Sequence, residues 1–300
     1  VGTAQTELNI NNVRTTILNG GDMWWDLSNG RYEIPNGSGK HSMFAGALWI
    51  GGYDDNGMLK VAGQTYRGSG TDYWPGPLDN VRLTSEGMNN PAYGSTEASI
   101  CAQFDKHYLI NKNEVLEFVE WSNSENPEIE FPNYEIPENI LEYPGNRTTD
   151  DLSNSYIGSD DQVGTSPFYA LETLAPFEDV NNDGFYNPLD GDYPRYNTDG
   201  SVGCIEEDLL FGDQTLGWVF NDNGNIHTAT QSETSLGLEI QAQAFAFHST
   251  AVDAVDNSTF YNYKIINRSH TPLNETYFGV WVDPDLGDYQ DDYVGCDVAR

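Results

Sequence analysis

Alternation of apolar and polar residues is the dominant pattern in this chain, and it predicts β-strands. The segment 238–247 alternates small or apolar residues with polar or aromatic ones, which is the period of a strand with two distinct faces. The segments 259–266 and 276–282 are rich in β-branched and aromatic residues, which also favour strands. Polar stretches separate the three segments, so we expect them to form an antiparallel meander.

Further strand signals lie upstream, at residues 13–18, 43–50, 59–66, 98–110 and 211–220. One segment favours a short helix, because Asn111 is a candidate N-cap, Glu114 follows three residues later, and an apolar stripe runs from Val115 to Val119. The same residues also suit a strand. The predicted fold class is therefore all-β: an antiparallel β-sandwich-like body with long acidic calcium-binding loops and at most one or two short helices.

The segment 122–164 interrupts the strand pattern. It is acidic, contains prolines and has few strand signals, so we expect a long loop there, with a short helical turn near 137–141 as its one candidate element. A length of 300 residues suits either one large β-rich domain over 1–300 or two closely packed β subdomains. In the second case the subdomains would be 1–121 and 165–300.

Negative charge is the strongest feature of the composition. The chain has 47 acidic residues against 13 Lys and Arg, a net charge of −34. This excess repels nucleic acid and anionic membrane surfaces, and it attracts divalent cations. It also suits an extracellular setting, where salt screens the self-repulsion, although solubility alone explains it equally well. No run of about 18 apolar residues is present, so no membrane span is predicted.

The segment 179–192 has the spacing of a calcium-binding loop. Oxygen-bearing side chains stand at positions 1, 3, 5, 9 and 12, and a glycine at position 6 allows the sharp bend. Similar loops occur in dockerin and thrombospondin type 3 repeats, which this segment resembles. The expected Ca²⁺ ligands are Asp179, Asn181, Asp183, the carbonyl of Phe185, Asn187, Asp190 and Asp192.

The alternative for this segment is an Asp/Asn/Gly-rich turn that binds no metal. Prolines at 176, 188 and 194 make flanking helices, as in an EF-hand, an unexpected arrangement here. We therefore expect a rigid clip that ties an insertion to the body, and not a sensor that opens a groove.

A second acidic cluster follows the last strand signal. Crowded carboxylates repel one another unless a cation lies between them, so this cluster is a candidate second metal site, the alternative being a solvated acidic loop. Its members are Asp283, Asp285, Asp288, Asp291 and Asp292. A weaker candidate combines residues 206–208 with Asp213.

The sequence contains no motif that indicates catalysis. The sequence has no Gly-x-Ser-x-Gly motif, no His-Glu-x-x-His motif and no metal-ligand spacing among its histidines, so we expect no enzyme activity.

Of three cysteines, Cys204 and Cys296 lie in acidic, glycine-containing loops and are the favoured disulfide, with Cys101 free. The other two pairings remain open.

Several segments together resemble the N-terminal region of large secreted surface proteins of Bacteroidota that the type IX secretion system exports. These segments are 44–52, 175–184, 190–194, 277–287 and 291–297. The resemblance covers most of the chain and implies an extracellular or cell-surface location.

Together these features predict a non-enzymatic, calcium-stabilised structural or adhesive surface protein, whose partners are further copies of itself or extracellular glycans. One alternative is a carbohydrate-binding module of a secreted polysaccharide-degrading enzyme, with Trp24, Trp25, Tyr73, Trp74 and Tyr143 as candidate sugar-stacking residues. The other is a secreted glycoside hydrolase that uses a pair of carboxylates.

Overall fold

The computed structural model describes residues 1–83, 86–145, 173–196, 212–287, 289–293 and 295. Two antiparallel β-sheets make up the body of the protein, and a two-stranded ribbon lies beside them. The prediction of an all-β, sandwich-like fold is confirmed.

Sheet 1 has seven strands and contains the first and the last strand of the described chain. Its order is β1-β2-β3-β5-β14, while β4 pairs with β2 and β5, and β6 pairs with β5. The strands are β1 (Gln5–Leu8), β2 (Arg14–Leu18), β3 (Asp22–Met23), β4 (Tyr32–Glu33), β5 (His41–Tyr53), β6 (Leu59–Ala62) and β14 (Asn274–Pro284).

Sheet 2 has five strands. Its order is β13-β12-β11, and β7 and β8 pair with different parts of β11. The strands are β7 (Trp74–Pro75), β8 (Tyr108–Asn111), β11 (Gln214–Asn221), β12 (Leu238–Ala246) and β13 (Phe260–Asn267). The separate ribbon pairs β9 (Phe177–Glu178) with β10 (Tyr193–Pro194). Both sheets combine strands from before and after the segment 122–164.

The described residues contain more helices than the one or two expected. The five short α-helices are α1 (Ala98–Gln103), α2 (Lys112–Asn123), α3 (Pro127–Glu130), α4 (Glu138–Leu141) and α5 (Asp253–Asp256). Helix α2 is the helix that the sequence favours, and it buries Val115 and Phe118. Asn111 precedes it without capping it, because its side chain accepts a hydrogen bond from Gln214.

The strand predicted over 98–110 is wrong in its first half. Helix α1 occupies this part, and β8 begins only at Tyr108. Ile100 and Phe104 are four residues apart, so they share one side of the helix. Both are buried, and both lie against Gly76, where an added Cβ would stand 3.3 Å from each of them.

The predicted meander is also wrong in its third strand. β12 and β13 pair as expected, but β14 crosses to sheet 1 and pairs with β5. The connection between β13 and β14 is anchored by Arg268, which is buried and forms an ion pair with Glu239 on β12 at 3.2 Å. Strand periodicity identifies each strand, but it carries no information on which sheet the strand joins.

The main hydrophobic core lies between the two sheets. Leu48 and Ile50 of β5 belong to the same cluster of buried residues as Trp218 and Phe220 of β11. A second, smaller core joins α2 and α4 to the ribbon through Phe118, Ile140 and several tyrosines. This second core positions the loop between β9 and β10.

Close packing between the sheets gives a first testable prediction. A Cβ at Gly46 would stand 2.6 Å from the indole ring of Trp24, so Gly46→Ala should destabilise the protein by about 1–3 kcal/mol. Gly279 on the adjacent strand β14 has open space around its Cβ position and is the matched control. Urea unfolding should show a loss for Gly46→Ala and little change for Gly279→Ala. Equal midpoints would contradict the packing described here.

A candidate calcium loop and an aromatic pocket

The ribbon brings the two ends of the loop 179–192 together. Glu178 pairs with Tyr193, and Phe177 pairs with Pro194. Arg195 adds an ion pair to Glu178 at 2.5 Å. The loop is therefore closed by two antiparallel strands, with no flanking helices, as its prolines predict.

The first half of the loop turns its side-chain oxygens inward. The two carboxylate oxygens of Asp179 accept hydrogen bonds from the backbone N–H groups of Asp183, at 3.1 Å, and Gly184, at 2.8 Å. Asn181 also accepts from the N–H of Asp183, and Asp183 accepts from that of Phe185. Gly184 has a φ of 86°, which favours glycine. The predicted positions 1, 3 and 5 thus converge on one short stretch of backbone.

The second half is a tight turn organised by Asn187. Its side-chain oxygen accepts a hydrogen bond from the N–H of Leu189 at 3.1 Å, which caps the 3-10 turn Pro188–Asp190. Its amide N–H group donates to the carboxylate of Asp190 at 2.8 Å. Positions 9 and 12 of the predicted loop are therefore in direct contact.

Asp192 ties the two halves together from a buried position. One of its oxygens accepts from the N–H of Val180 at 2.8 Å, and the other from that of Asn187 at 2.9 Å. Burial raises the pKa of Asp192, and the nearby charges of Asp179 and Asp183 raise it further. The charges of Asp179 and Asp183 thus act on Asp192, and a bound cation would relieve that repulsion.

The donor set fits calcium in its chemistry. Every predicted ligand is an oxygen, which is the atom that Ca²⁺ prefers, and the ion tolerates six to eight ligands. The amide groups of Asn181 and Asn187 point N–H donors at the carboxylates of Asp183 and Asp190, where a cation would supply the positive charge. No three acidic, histidine or cysteine side chains among the described residues are grouped as a ready-made metal site.

Tyr186 fixes the loop to the body of the protein. Its ring is buried and lies against Phe177 and Tyr143, with centroids 5.3 and 5.4 Å away. Its hydroxyl donates to the carbonyl of Ile140 in α4 at 2.6 Å. A Cβ at Gly145 would stand 2.6 Å from Tyr186, so the backbone closes tightly over the ring. Because Tyr186 lies between the predicted ligands Phe185 and Asn187, its buried ring fastens the loop to the second core.

The second acidic cluster is not assembled in the same way. Asp283 accepts a hydrogen bond from the hydroxyl of Tyr66, and Asp292 accepts from the N–H of Leu286 at 3.1 Å. Asp285 donates its backbone N–H to the carbonyl of Ser42. Asp288 lies outside the described residues. In the parts of 283–292 that the structure describes, the carboxylates of Asp283 and Asp292 therefore serve separate local contacts.

Asp283 instead forms one side of an aromatic pocket of about 700 Å³. Burial raises the pKa of Tyr66 to about 12, helped by the contact with Asp283, so the hydroxyl stays protonated and donates. The rings of Trp25 and Phe44 meet Tyr66 edge-on at 5.7 and 5.9 Å. Sequence reasoning missed this pocket because its walls come from segments more than 200 residues apart.

Most of the candidate sugar-stacking residues are buried. Trp25, Tyr73, Trp74 and Tyr143 belong to the core, so they offer no free ring face for stacking on sugars. Trp24 packs on Gly46 and donates to the hydroxyl of Tyr261 at 2.7 Å. Cys204, Cys296 and the acids 206–208 lie outside the described residues, and Cys101 is a half-buried free thiol.

Comparisons of this chain with protein-family models, curated proteins and solved structures gave no match. Of the helices in the described ranges, none has both the length and the apolar character that a bilayer crossing requires.

The buried carboxylate of Asp192 generates a prediction for the clip. In Asp192→Asn, an amide NH₂ replaces one acceptor oxygen and leaves the N–H of Val180 or Asn187 without a partner, a cost of about 1–3 kcal/mol. Asp190 is exposed, so water can take its place as the hydrogen-bond partner of Asn187. Asp190→Asn is therefore the matched control. With calcium chelated, limited proteolysis should cut the loop of Asp192→Asn faster than that of Asp190→Asn. Equal cleavage rates would show that Asp192 does not hold the loop closed.

Proposed function

We propose that the protein is a non-enzymatic extracellular structural or adhesive component whose β-sandwich body is stabilised by calcium. The observation that carries the proposal is the loop 179–192. Its inward-facing oxygens, its ribbon and Tyr186 form one unit that a Ca²⁺ ion would lock. Asp179, Asn181, Asp183, Phe185, Asn187, Asp190 and Asp192 would hold the ion.

The net charge of −34 supports this assignment. A chain with so many acids gains stability from divalent cations, which bind the folded state and offset the self-repulsion. Extracellular fluids supply both calcium and screening salt. The resemblance to type IX-exported surface proteins of Bacteroidota points to the same location.

The buried acids support a structural and non-catalytic role. Asp72 accepts hydrogen bonds from the backbone N–H groups of Gly63, Ala229 and Thr230. Asp222 accepts from those of Leu236 and Leu238, at 2.6 Å each. These carboxylates accept hydrogen bonds that fasten loops to the sheets. Asp192 has the same structural role in the loop 179–192.

Thermal unfolding tests the calcium proposal. An ion that binds only the folded state stabilises it by RT ln(1 + [L]/Kd), about 2.7 kcal/mol at a hundredfold excess over Kd. Calcium should therefore raise Tm by roughly 5 °C over the chelated protein. Magnesium at equal concentration should raise it less, because Mg²⁺ demands a tighter octahedral site.

Two exposed acid-to-alanine variants separate site binding from a general effect of charge. Asp183→Ala removes the oxygen of a predicted ligand, whereas Glu128→Ala removes an equal charge from α3. The calcium-dependent rise in Tm should largely disappear in Asp183→Ala and persist in Glu128→Ala. An unchanged Tm on adding calcium to the parent protein would refute the proposal.

Carbohydrate binding is a second candidate, and the aromatic pocket favours it. Sugars bind where aromatic rings offer an apolar face and carboxylates accept hydrogen bonds from hydroxyl groups. Phe44, Tyr66 and Tyr289 line the pocket together with Asp283 and Asp285. The volume of about 700 Å³ lies within the range of small-ligand sites.

Calorimetric titration with a panel of neutral oligosaccharides tests this candidate. Tyr289→Ala removes an exposed ring from the pocket and should weaken binding about fivefold, or roughly 1 kcal/mol. Tyr293→Ala removes a ring that is 95% exposed and does not line the pocket, so it should bind as the parent protein does. The absence of heat with every sugar, or equal effects of the two variants, would eliminate the pocket as a sugar site.

A further inference from the structure

One row of apolar side chains on β14 faces the inter-sheet space but is not covered. Directly paired residues on neighbouring antiparallel strands lie on the same face. Phe278 pairs with Ile50 and Val280 with Leu48, and both partners are buried in the main core. Yet Phe278 is 58% exposed, Val280 54% and Val282 39%.

The exposure arises because sheet 1 extends further sideways than sheet 2. The last strand of sheet 2, β13, contacts sheet 1 at β3 and at the residue that follows it, since Tyr263 contacts Met23 and Tyr261 contacts Trp24. Sheet 1 continues beyond β3 by two more strands, β5 and then β14. Trp24 covers β5 at Gly46, but β14 lies further out.

The outer edge of β14 is also open. In the described part of the chain, β14 pairs with β5 alone, so its other side presents unpaired backbone N–H and C=O groups along 11 residues. Natural proteins protect such edges with charges, prolines or bulges. The two ends of β14 do carry such features, because Glu275, Asp283 and Pro284 belong to the strand and its pairing with β5 is irregular near both ends. From Tyr277 to Val282 the strand has none of them, so this apolar central stretch of the edge is a template for another strand.

Charge determines which kind of strand fits. Acids stand at both ends of β14: Glu275 and Asp55 at its start, and Asp283 and Asp285 at its end. Because both ends are acidic, a second copy of β14 would place acid against acid in either strand direction. Each copy also carries a net charge of −34. Self-pairing is therefore opposed by charge, and a segment with basic ends is favoured.

We propose that β14 is an acceptor for an extended segment of another polypeptide, which adds a strand to sheet 1. The segment carries apolar residues at alternate positions, to cover Phe278, Val280 and Val282, and lysine or arginine at both ends. Main-chain hydrogen bonds supply affinity, and the apolar row with its acidic ends supplies specificity. This inference deepens the proposed adhesive role by naming the chemistry of the partner, and it does not require calcium binding.

A synthetic peptide tests the proposal directly. The probe is fluorescently labelled Lys-Lys-Val-Thr-Val-Thr-Val-Thr-Val-Lys-Lys, and its binding to the full chain is measured by fluorescence anisotropy. Two control peptides accompany it, one with glutamates in place of the lysines and one with a proline at the central position. We expect binding of the basic peptide only, and weaker binding as salt concentration rises.

Protein variants locate the binding site. Val280→Asp should weaken binding more than tenfold although it adds an attractive charge, whereas Ile226→Asp, at a 71% exposed loop position, should not weaken it. Phe278→Thr removes an apolar contact without adding charge. It replaces Val280→Asp in the binding measurement if Val280→Asp is unfolded. Equal binding of the basic and glutamate peptides, unchanged binding by both β14 variants, or no binding would overturn the proposal.

Light scattering tests whether a second copy of the protein occupies the edge of β14 instead. If the protein alone forms dimers that Val280→Asp disrupts, β14 pairs with a second copy and the assignment of a basic partner is wrong. The peptide measurements are made in calcium and again in chelator. Failure of the calcium proposal therefore appears as an unchanged Tm, and failure of the strand proposal as absent peptide binding.

Discussion

Repulsion among carboxylates is the constraint on which this structure depends. With a net charge of −34, a compact fold requires that the acids inside it be neutralised or fully hydrogen-bonded. Two buried acids are matched by arginine: Asp22 by Arg67 at 2.9 Å, and Glu239 by Arg268 at 3.2 Å. Asp192 is instead satisfied by backbone N–H groups, and it lies where two further carboxylates approach it. This difference makes the loop 179–192 the place where a cation would contribute most.

The same constraint links the fold to its exposed surfaces. The two sheets share a core of ordinary composition, so acids are displaced to loops and strand ends. At β14 this arrangement leaves an apolar centre between acidic ends. At the aromatic pocket it places Asp283 beside Tyr66. Both surfaces therefore combine apolar area with negative charge, which suits partners that are apolar and either basic or rich in hydroxyl groups.

Local features of the sequence predicted local structure well. The strand periods, helix α2 and the turn of the loop 179–192 follow from residue type and spacing, which act over a few positions. The prolines around the loop correctly excluded flanking helices. The pattern of apolar residues in 98–110 predicted a strand, but Ile100 and Phe104 also fit one face of a helix. Both residues pack against Gly76, which favours the helix over the strand.

Features that depend on distant contacts were not predictable from one sequence. Nothing local to β14 indicates that it leaves β13 and joins β5. For the same reason Tyr73, Trp74 and Tyr143 looked like surface rings but are core residues. The pocket at Tyr66 joins segments that no short-range pattern connects. Sequence spacing predicts a set of metal ligands in the loop 179–192, but the role of Asp192 as the buried anchor of that loop required the fold.

Amide hydrogen exchange of the loop, with calcium and in chelator, tests the central claim most directly. The backbone N–H groups of Val180, Asp183, Gly184 and Asn187 donate to the carboxylates that would hold the ion. Calcium should slow their exchange at least about tenfold, equivalent to roughly 1.4 kcal/mol of local stability. Amides at the centre of β11 should change far less. Identical exchange at these four positions with and without millimolar calcium would contradict the account.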